Sequence, residues 1–228
     1  MNSKSLTRLA FHGFVTVMYF CALVRYEYLP PMPHKRSHEH YAGRWKYLTY
    51  WNLIAQFIFF ALSSIIDVMK SSSSSYHKLT RFRDKMYAGI AMPYAVYVFA
   101  VFWILYFVDR ELIFPKVLDA VFPAWLNHVS HTVILPVLFM ETYLVRHCHP
   151  PRKLGVTITA SFGILYITWV LYLALVKDIW PYPILQILNW GQRGIFFGCG
   201  IVFLYILYFL GEKVNVSFWG EGIVKKSK

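Results

Sequence analysis

The sequence predicts an all-α integral membrane protein, a single domain of residues 1–228 with six transmembrane helices. Apolar residues make up 57% of the chain and only 15% are charged, against about 25% in a soluble domain. Too few polar side chains remain to cover a water-soluble core, and a disordered chain would be poorer in aromatic residues. The net charge of +12 comes from lysines and arginines clustered between long apolar runs, which is typical of membrane proteins rather than nucleic-acid-binding proteins.

Six apolar runs approach the ~20 residues that a helix needs to cross a bilayer. The first run is too long for the core of a signal peptide, and Arg25 and Glu27 follow it where a cleavage site would need small residues. We therefore interpret it as an uncleaved anchor. Pro93 and Pro136 fall inside runs, which membrane helices tolerate. The predicted spans cover residues 6–24, 47–69, 87–108, 124–145, 154–176 and about 190–210.

An even number of spans puts both termini on one side of the membrane. Fourteen lysines and arginines lie on the side of the termini and eight on the other, so the positive-inside rule places both termini in the cytosol. The C-terminal residues KKSK (225–228) resemble a dilysine retrieval signal, or form a basic tail attracted to anionic lipid. The expected location is the endoplasmic reticulum or the plasma membrane.

The topology gives polar residues inside the spans a depth in the membrane. Such residues are functional candidates by default, because hydrocarbon does not solvate them. Six of them, from three different spans, fall in the outer leaflet. They are Thr49 and Asn52 of the second span, Asn127, His128 and His131 of the fourth, and Arg193 of the sixth.

Thr49 and His131 contain the minimum of a nucleophile–base pair, in which an imidazole takes the proton of an otherwise unreactive hydroxyl. A third group normally orients the imidazole, and Asn127 or His128 is a candidate for this role. The alternative is that these residues only form hydrogen bonds between helices. From the residues alone, both interpretations stay open.

A metal site is a further alternative, because His128 and His131 have the spacing H-x-x-H. Other histidines are His147, His149 and three within residues 34–40. The topology places the first pair on the outer side and the second pair on the cytosolic side, so they cannot share one ion. We expect no metal and no cofactor, and keep a lipid oxidoreductase with a histidine-bound metal as the weaker hypothesis.

Five stretches match a known family, and they cover most of the chain between residues 44 and 212. They are RWKYLT (44–49), FWILY (102–106), DRELIFPKVLD (109–119), WLNHVSHT (125–132) and YFLGE (208–212). On these stretches the chain resembles the family of androgen-induced gene 1 protein and androgen-dependent TFPI-regulating protein. The resemblance implies a multi-span membrane hydrolase of fatty acid esters of hydroxy fatty acids.

The resemblance also implies the roles of two residues. In that family a threonine is the nucleophile and a histidine is its partner. The threonine of the Trp-Lys-aromatic-x-Thr stretch falls on Thr49, and the second histidine of Asn-His-x-x-His-Thr falls on His131. The expected partners are the lipid ester and membrane lipids, with no nucleic acid. The first span and residues 34–40 match the family poorly and inherit no role.

Further polar residues are candidates for binding the substrate. The Asn52 and Asn127 amides, His128 or a backbone N–H near the start of the second span are candidates for stabilising an oxyanion. An ester of a hydroxy fatty acid keeps one free carboxylate, and Arg193 is the first choice to hold it, although it could instead reach toward the headgroups. The interfacial alternatives are Arg44, Lys46 and Arg110.

The rival function from another class is a non-enzymatic membrane protein, either a lipid transporter or a scaffold. No pair of broken spans in corresponding halves and no chain of intramembrane acidic residues indicates a transporter. For a scaffold, the convergence of Thr49 and His131 would be accidental.

Overall fold

The computed structural model describes residues 3–30, 41–69 and 71–220. Within these ranges all regular structure is helical and no strand occurs, so the all-α prediction is confirmed. The histidines of segment 34–40 and the basic tail 225–228 lie outside the described residues. The α-helices are α1 (Ser3–Glu27), α2 (Leu48–Val68), α3 (Ser74–Met86), α4 (Met92–Asp109), α5 (Ala124–His131), α6 (Ile134–Leu144), α7 (Arg152–Lys177), α8 (Pro183–Ile187) and α9 (Trp190–Trp219).

Five helical segments are long and apolar enough to cross a membrane. Four of them contain the predicted first, third, fifth and sixth spans and extend beyond them, whereas α2 is one residue shorter at each end than the predicted span 47–69. The count of six spans and the orientation of the termini stay predictions. The five segments are Ser5–Glu27, Leu48–Val68, Ser74–Leu112, Arg152–Lys177 and Trp190–Trp219.

The third span is longer than the sequence predicted and contains a π-helical turn. Helix α3 begins well before residue 87, and the Ser73 hydroxyl caps it by accepting the Tyr76 N–H at 3.0 Å. The π turn, Tyr87–Ala91, joins α3 to α4. Pro93 follows it directly and lacks the N–H of a regular helical bond, so the wider turn falls where the hydrogen-bond ladder is already interrupted.

The fourth predicted span, 124–145, is divided in the structure. Helix α5 ends at His131, and the N–H groups of Thr132 and Val133 both donate to the His128 carbonyl, at 2.7 and 2.8 Å. Pro136 explains the break, because it has no N–H for the Thr132 carbonyl and its ring crowds that oxygen. The break leaves His131 at a helix end, and α6 has only 11 residues.

Two apolar clusters form the interior. The larger one joins α1, α2 and α4 around fully buried aromatic rings such as Tyr19, Phe59 and Phe60. The smaller one packs α4 against α7 and α9 around Tyr94 and Val170. Both clusters reach toward the first turn of α2, so they fix the elements that surround it.

A chain of hydrogen bonds between ionisable groups ties the helices together at the opposite end of α2. His12 bonds Asp67 at 2.6 Å and Glu141 at 2.7 Å. His147 bonds Glu141 and Asp84, both at 3.0 Å. Glu141 is fully buried and joins the two imidazoles. Through the two imidazoles, Glu141 links α1, α2, α3 and α6. Asp67, the member of this network on α2, lies about 27 Å along the helix from its first turn.

The Glu141→Ala variant should be strongly destabilised, because it leaves two buried imidazoles without their shared acceptor. Breaking such a buried pair costs about 3–5 kcal/mol. Thermal unfolding of the protein in detergent measures the effect. Asp119→Ala is the control, since Asp119 forms an exposed ion pair with Arg110, worth at most about 1 kcal/mol. Equal melting temperatures for the two variants would contradict the structural role of Glu141.

Candidate active site

Thr49 lies in the first turn of α2, and that turn is anchored by two tyrosines from distant segments. The Leu48 N–H donates to the hydroxyls of Tyr166 and Tyr182, at 3.0 and 2.9 Å. A helix leaves its first N–H groups without partners inside the helix, so these two hydroxyls satisfy a group that would otherwise be unbonded. The position of the Thr49 side chain is thereby fixed relative to α7 and the segment before α8.

His131 is held from three sides at the end of α5. Its ring stacks on Phe102 with centroids 3.7 Å apart and an angle of 12°. The Trp103 indole donates to the His131 carbonyl at 3.2 Å. The side chain is buried, with a residue exposure of 6%. The helix break after His131 and the aromatic residues of α4 therefore leave the imidazole little freedom.

The structure brings Thr49 and His131 into hydrogen-bond contact. The Thr49 hydroxyl lies 3.2 Å from His131 Nε2. On the other side of the ring, His131 Nδ1 lies 2.8 Å from Asn127 Oδ1 and 3.0 Å from the Asn127 backbone oxygen. A carbonyl oxygen can only accept, so Nδ1 carries the proton and Nε2 offers its lone pair. The imidazole faces the threonine in the tautomer that a general base needs.

Of the two residues that the sequence offered for the third position, Asn127 contacts the His131 ring, whereas His128 bonds Thr132. Asn127 sits four residues before His131 on the same helical face. A neutral amide fixes the tautomer, as a carboxylate would, but it does not place a negative charge beside the ring.

Tyr182 is a site residue that the sequence did not reveal. Its hydroxyl accepts the Leu48 N–H, one residue before Thr49, at 2.9 Å. Burial raises the pKa of the Tyr182 hydroxyl, so the hydroxyl keeps a proton to donate. The available signal was the pair of prolines, Pro181 and Pro183, which hold the tyrosine in a rigid segment.

A cavity of about 290 Å³ opens onto the Thr49–His131 pair. Its walls are mainly aromatic and aliphatic, and two basic residues, Arg44 and Lys46, line it as well. Lys46 is only 2% exposed. The cavity thus combines apolar walls, a hydroxyl beside a base, and positive charge, which is a suitable environment for an acidic lipid.

Two of the candidate binding residues lie away from this cavity. Asn52 is buried in α2, where its side-chain oxygen accepts from Gln56 at 3.2 Å. His128 is exposed and bonds Thr132 at 3.0 Å. Among the described residues, neither lines the cavity. The depth that the sequence predicts for them does not fix the direction in which their side chains point.

Arg193 also has other contacts than those the sequence predicted for it. Its Nε donates to the Leu185 carbonyl at 2.8 Å, and its guanidinium lies 4.0 Å from the Trp180 ring centroid and 4.9 Å from that of Trp190. These contacts join α9 to α8. The cavity lining contains Arg44 and Lys46 but not Arg193.

A metal ion finds no ligand cluster in the part of the chain that is described. Residues 3–30, 41–69 and 71–220 contain no group of three or more His, Cys, Asp or Glu placed to hold an ion. His128 and His131 point in different directions, and His131 Nδ1 already faces two oxygens of Asn127. Despite their H-x-x-H spacing, His128 and His131 therefore do not form a shared metal site.

Comparisons with known proteins agree with the residue pattern. Residues 7–216 match the family model described as FAR-17a/AIG1-like protein. The chain is 39% identical over 192 residues to androgen-induced gene 1 protein of Homo sapiens, covering 80% of this chain and 81% of the relative. It is 41% identical over 181 residues to androgen-dependent TFPI-regulating protein of Homo sapiens, covering 78% and 79%. No solved structure is significantly similar.

The Asn127→Leu variant should slow the reaction of Thr49 with a fluorophosphonate probe by about 5-fold. It removes one of the two acceptors of His131 Nδ1, and one hydrogen bond is worth about 1 kcal/mol. The labelling rate of purified protein measures the effect. His128→Gln is the matched control on the same helix and should label at the wild-type rate. Wild-type labelling of Asn127→Leu would show that the amide does not orient the imidazole.

Proposed function

Because the chain belongs to the FAR-17a/AIG1-like protein family, a family of multi-span membrane proteins, we propose that it is an intramembrane hydrolase of lipid esters. Thr49 is the nucleophile and His131 is the general base. The observation that carries this proposal is the 3.2 Å contact between the Thr49 hydroxyl and His131 Nε2 at the wall of a largely apolar cavity. The resemblance adds the substrate class, fatty acid esters of hydroxy fatty acids.

The reaction has two steps. His131 Nε2 takes the Thr49 proton while the hydroxyl oxygen attacks the ester carbonyl, and the imidazolium then returns that proton to the departing alcohol. The acyl group is left as an ester on Thr49. A water molecule, deprotonated by the same nitrogen, attacks this ester, releasing the fatty acid and restoring the threonine. Threonine, histidine and water suffice, so the mechanism includes no cofactor.

Asn127 supports both steps through the imidazole. The Nδ1 proton stays directed at the two Asn127 oxygens while Nε2 gains and loses the transferred proton. The imidazolium keeps two acceptors throughout, which lowers its cost in an apolar environment. Without a carboxylate, the stabilisation comes from dipoles rather than from a full charge.

Tyr182 is the best-placed group to stabilise the oxyanion. Preorganised donors near the developing negative charge usually make the largest contribution to acyl transfer. The Tyr182 hydroxyl lies at the first turn of α2, where it accepts the Leu48 N–H, and Tyr182 and Thr49 line the same cavity. Asn52 and His128, which the sequence offered for this role, face other partners.

The predicted topology places this reaction in the outer leaflet. A lipid with an internal ester enters laterally between helices, and its chains stay in hydrocarbon while the ester reaches Thr49. Water comes from the lumenal or exterior side, in the endoplasmic reticulum or the plasma membrane. The basic side chains Arg44 and Lys46 at the cavity suit an ester with a free carboxylate.

Thr49→Ala and His131→Gln should each lower kcat/KM for a fatty acid ester of a hydroxy fatty acid by about 10³-fold, because each removes one half of the nucleophile–base pair. Thr49→Ser keeps a hydroxyl and should retain measurable activity. Release of fatty acid by purified protein in detergent measures the effect. The matched control is Thr157→Ala, since Thr157 is exposed and bonds only within α7. Full activity of Thr49→Ala at normal expression would remove Thr49 from the mechanism.

Tyr182→Phe should lower kcat by about 10²-fold and change KM little, as expected for a donor used mainly in the transition state. Tyr205→Phe is the control, because Tyr205 is half exposed on α9. Both variants are compared by melting temperature, since Tyr182 also binds the start of α2. An unchanged kcat in a stable Tyr182→Phe protein would exclude the oxyanion role.

A further inference from the structure

Thr49 stands between two cavities that differ in chemistry. Besides the 290 Å³ cavity, a second one of about 90 Å³ extends between α4, α7 and α9. Four residues line both and form the wall between them. They are Thr49, Phe102, Ile113 and Tyr182.

The smaller cavity is apolar along its length. Its walls include Val98, Val101 and Leu105 of α4 and Ile201 and Leu204 of α9, and no charged side chain among the described residues lines it. The larger cavity instead carries the basic residues named above. The two cavities therefore favour different halves of an asymmetric molecule.

We infer that the smaller cavity holds the part of the acyl chain nearest the ester and that the larger cavity holds the alcohol half of the ester, with its free carboxylate at Lys46. The inference rests on the proposed function and specifies how that same site holds its substrate. The ester group then spans the dividing wall, with its carbonyl carbon beside the Thr49 hydroxyl.

Charge decides the direction in which the substrate lies. The free carboxylate of such an ester belongs to the hydroxy acid, which is the alcohol half. In the smaller cavity the carboxylate would lose its hydration and would contact no cation among the described lining residues. In the larger cavity it meets Lys46, whose ammonium lies 5.5 Å from the Tyr47 ring centroid. Arg44, which lines the same cavity, forms an ion pair with Glu27 at 2.5 Å.

This direction also suits the order of the two steps. After the first step the fatty acyl group is bonded to Thr49, and the part of its chain nearest the ester remains in the smaller cavity. The hydroxy acid, which carries the charge, leaves through the larger cavity. Water then reaches the acyl-threonine from the same larger cavity, where the His131 ring is exposed to it.

Filling the smaller cavity should change acyl-chain selectivity alone. Val101→Phe adds volume there, so kcat/KM for a palmitoyl ester of a hydroxy fatty acid should fall by about 10-fold. The acetyl ester, whose single methyl group does not extend into the cavity, should change little. Ile104→Phe is the matched control, three residues further on α4 and exposed. Ile201→Phe, with Val202→Phe as its control, repeats the test from α9.

The assay uses two series of substrates with the full-length protein. One series varies the acyl chain on a fixed hydroxy acid, and the other varies the hydroxy acid under a fixed acyl chain. The inference expects the filling variants to shift the optimum of the first series only. A shift confined to the hydroxy-acid series, or an equal loss in both, would overturn it.

Lys46→Gln tests the carboxylate end. KM should rise by about 10-fold for esters with a free carboxylate and stay unchanged for their methyl esters. Lys46→Arg should restore most of the affinity, and Lys116→Gln is the exposed control. Equal effects on acid and methyl ester would overturn the assignment of Lys46.

The results also separate this inference from the proposed function. Suppose that wild-type protein hydrolyses the esters and Thr49→Ala does not, but the filling variants shift the optimum of the hydroxy-acid series. Only the inferred direction of binding is then wrong. If Thr49→Ala hydrolyses them as fast as wild type, the mechanism is wrong and the inference falls with it.

Discussion

A polar side chain surrounded by hydrocarbon needs a hydrogen-bond partner, and this constraint organises both ends of the bundle. At one end, Glu141 joins His12 and His147 and holds four elements together. At the other, the two Asn127 oxygens hold the His131 ring so that its free nitrogen faces Thr49. The first network fixes the packing of the helices through ionisable groups. The second leaves the Nε2 lone pair of His131 facing the Thr49 hydroxyl.

The break between α5 and α6 connects the fold to the candidate chemistry. A continuous helix would carry the hydrogen-bond ladder past His131, but Pro136 interrupts it at Thr132. The imidazole consequently lies at a helix end, stacked on Phe102, instead of on the side of a continuous helix. Asn127 replaces the carboxylate of familiar triads with an amide. It accepts from the imidazole without burying another charge.

Topology put Thr49 and His131 at one predicted depth but left open whether they meet. The family resemblance paired them, and the structure brings their side chains into contact. Depth does not give the direction around a helix axis, which is why Asn52 and Arg193, at the same predicted depth, face Gln56 and Trp180 instead. The helical class followed from composition, because hydrocarbon leaves few alternatives. Tyr182 was missed because its position depends on tertiary contacts with the start of α2.

The central claim is that Thr49 carries the acyl group during turnover. The most direct test is to quench the purified protein with acid during hydrolysis of a fatty acid ester of a hydroxy fatty acid and to analyse its peptides by mass spectrometry. We expect the fatty acyl mass on the peptide that contains Thr49, and we expect it to be absent from Thr49→Ala. An acyl group on another residue, or hydrolysis by Thr49→Ala at the wild-type rate, would contradict it.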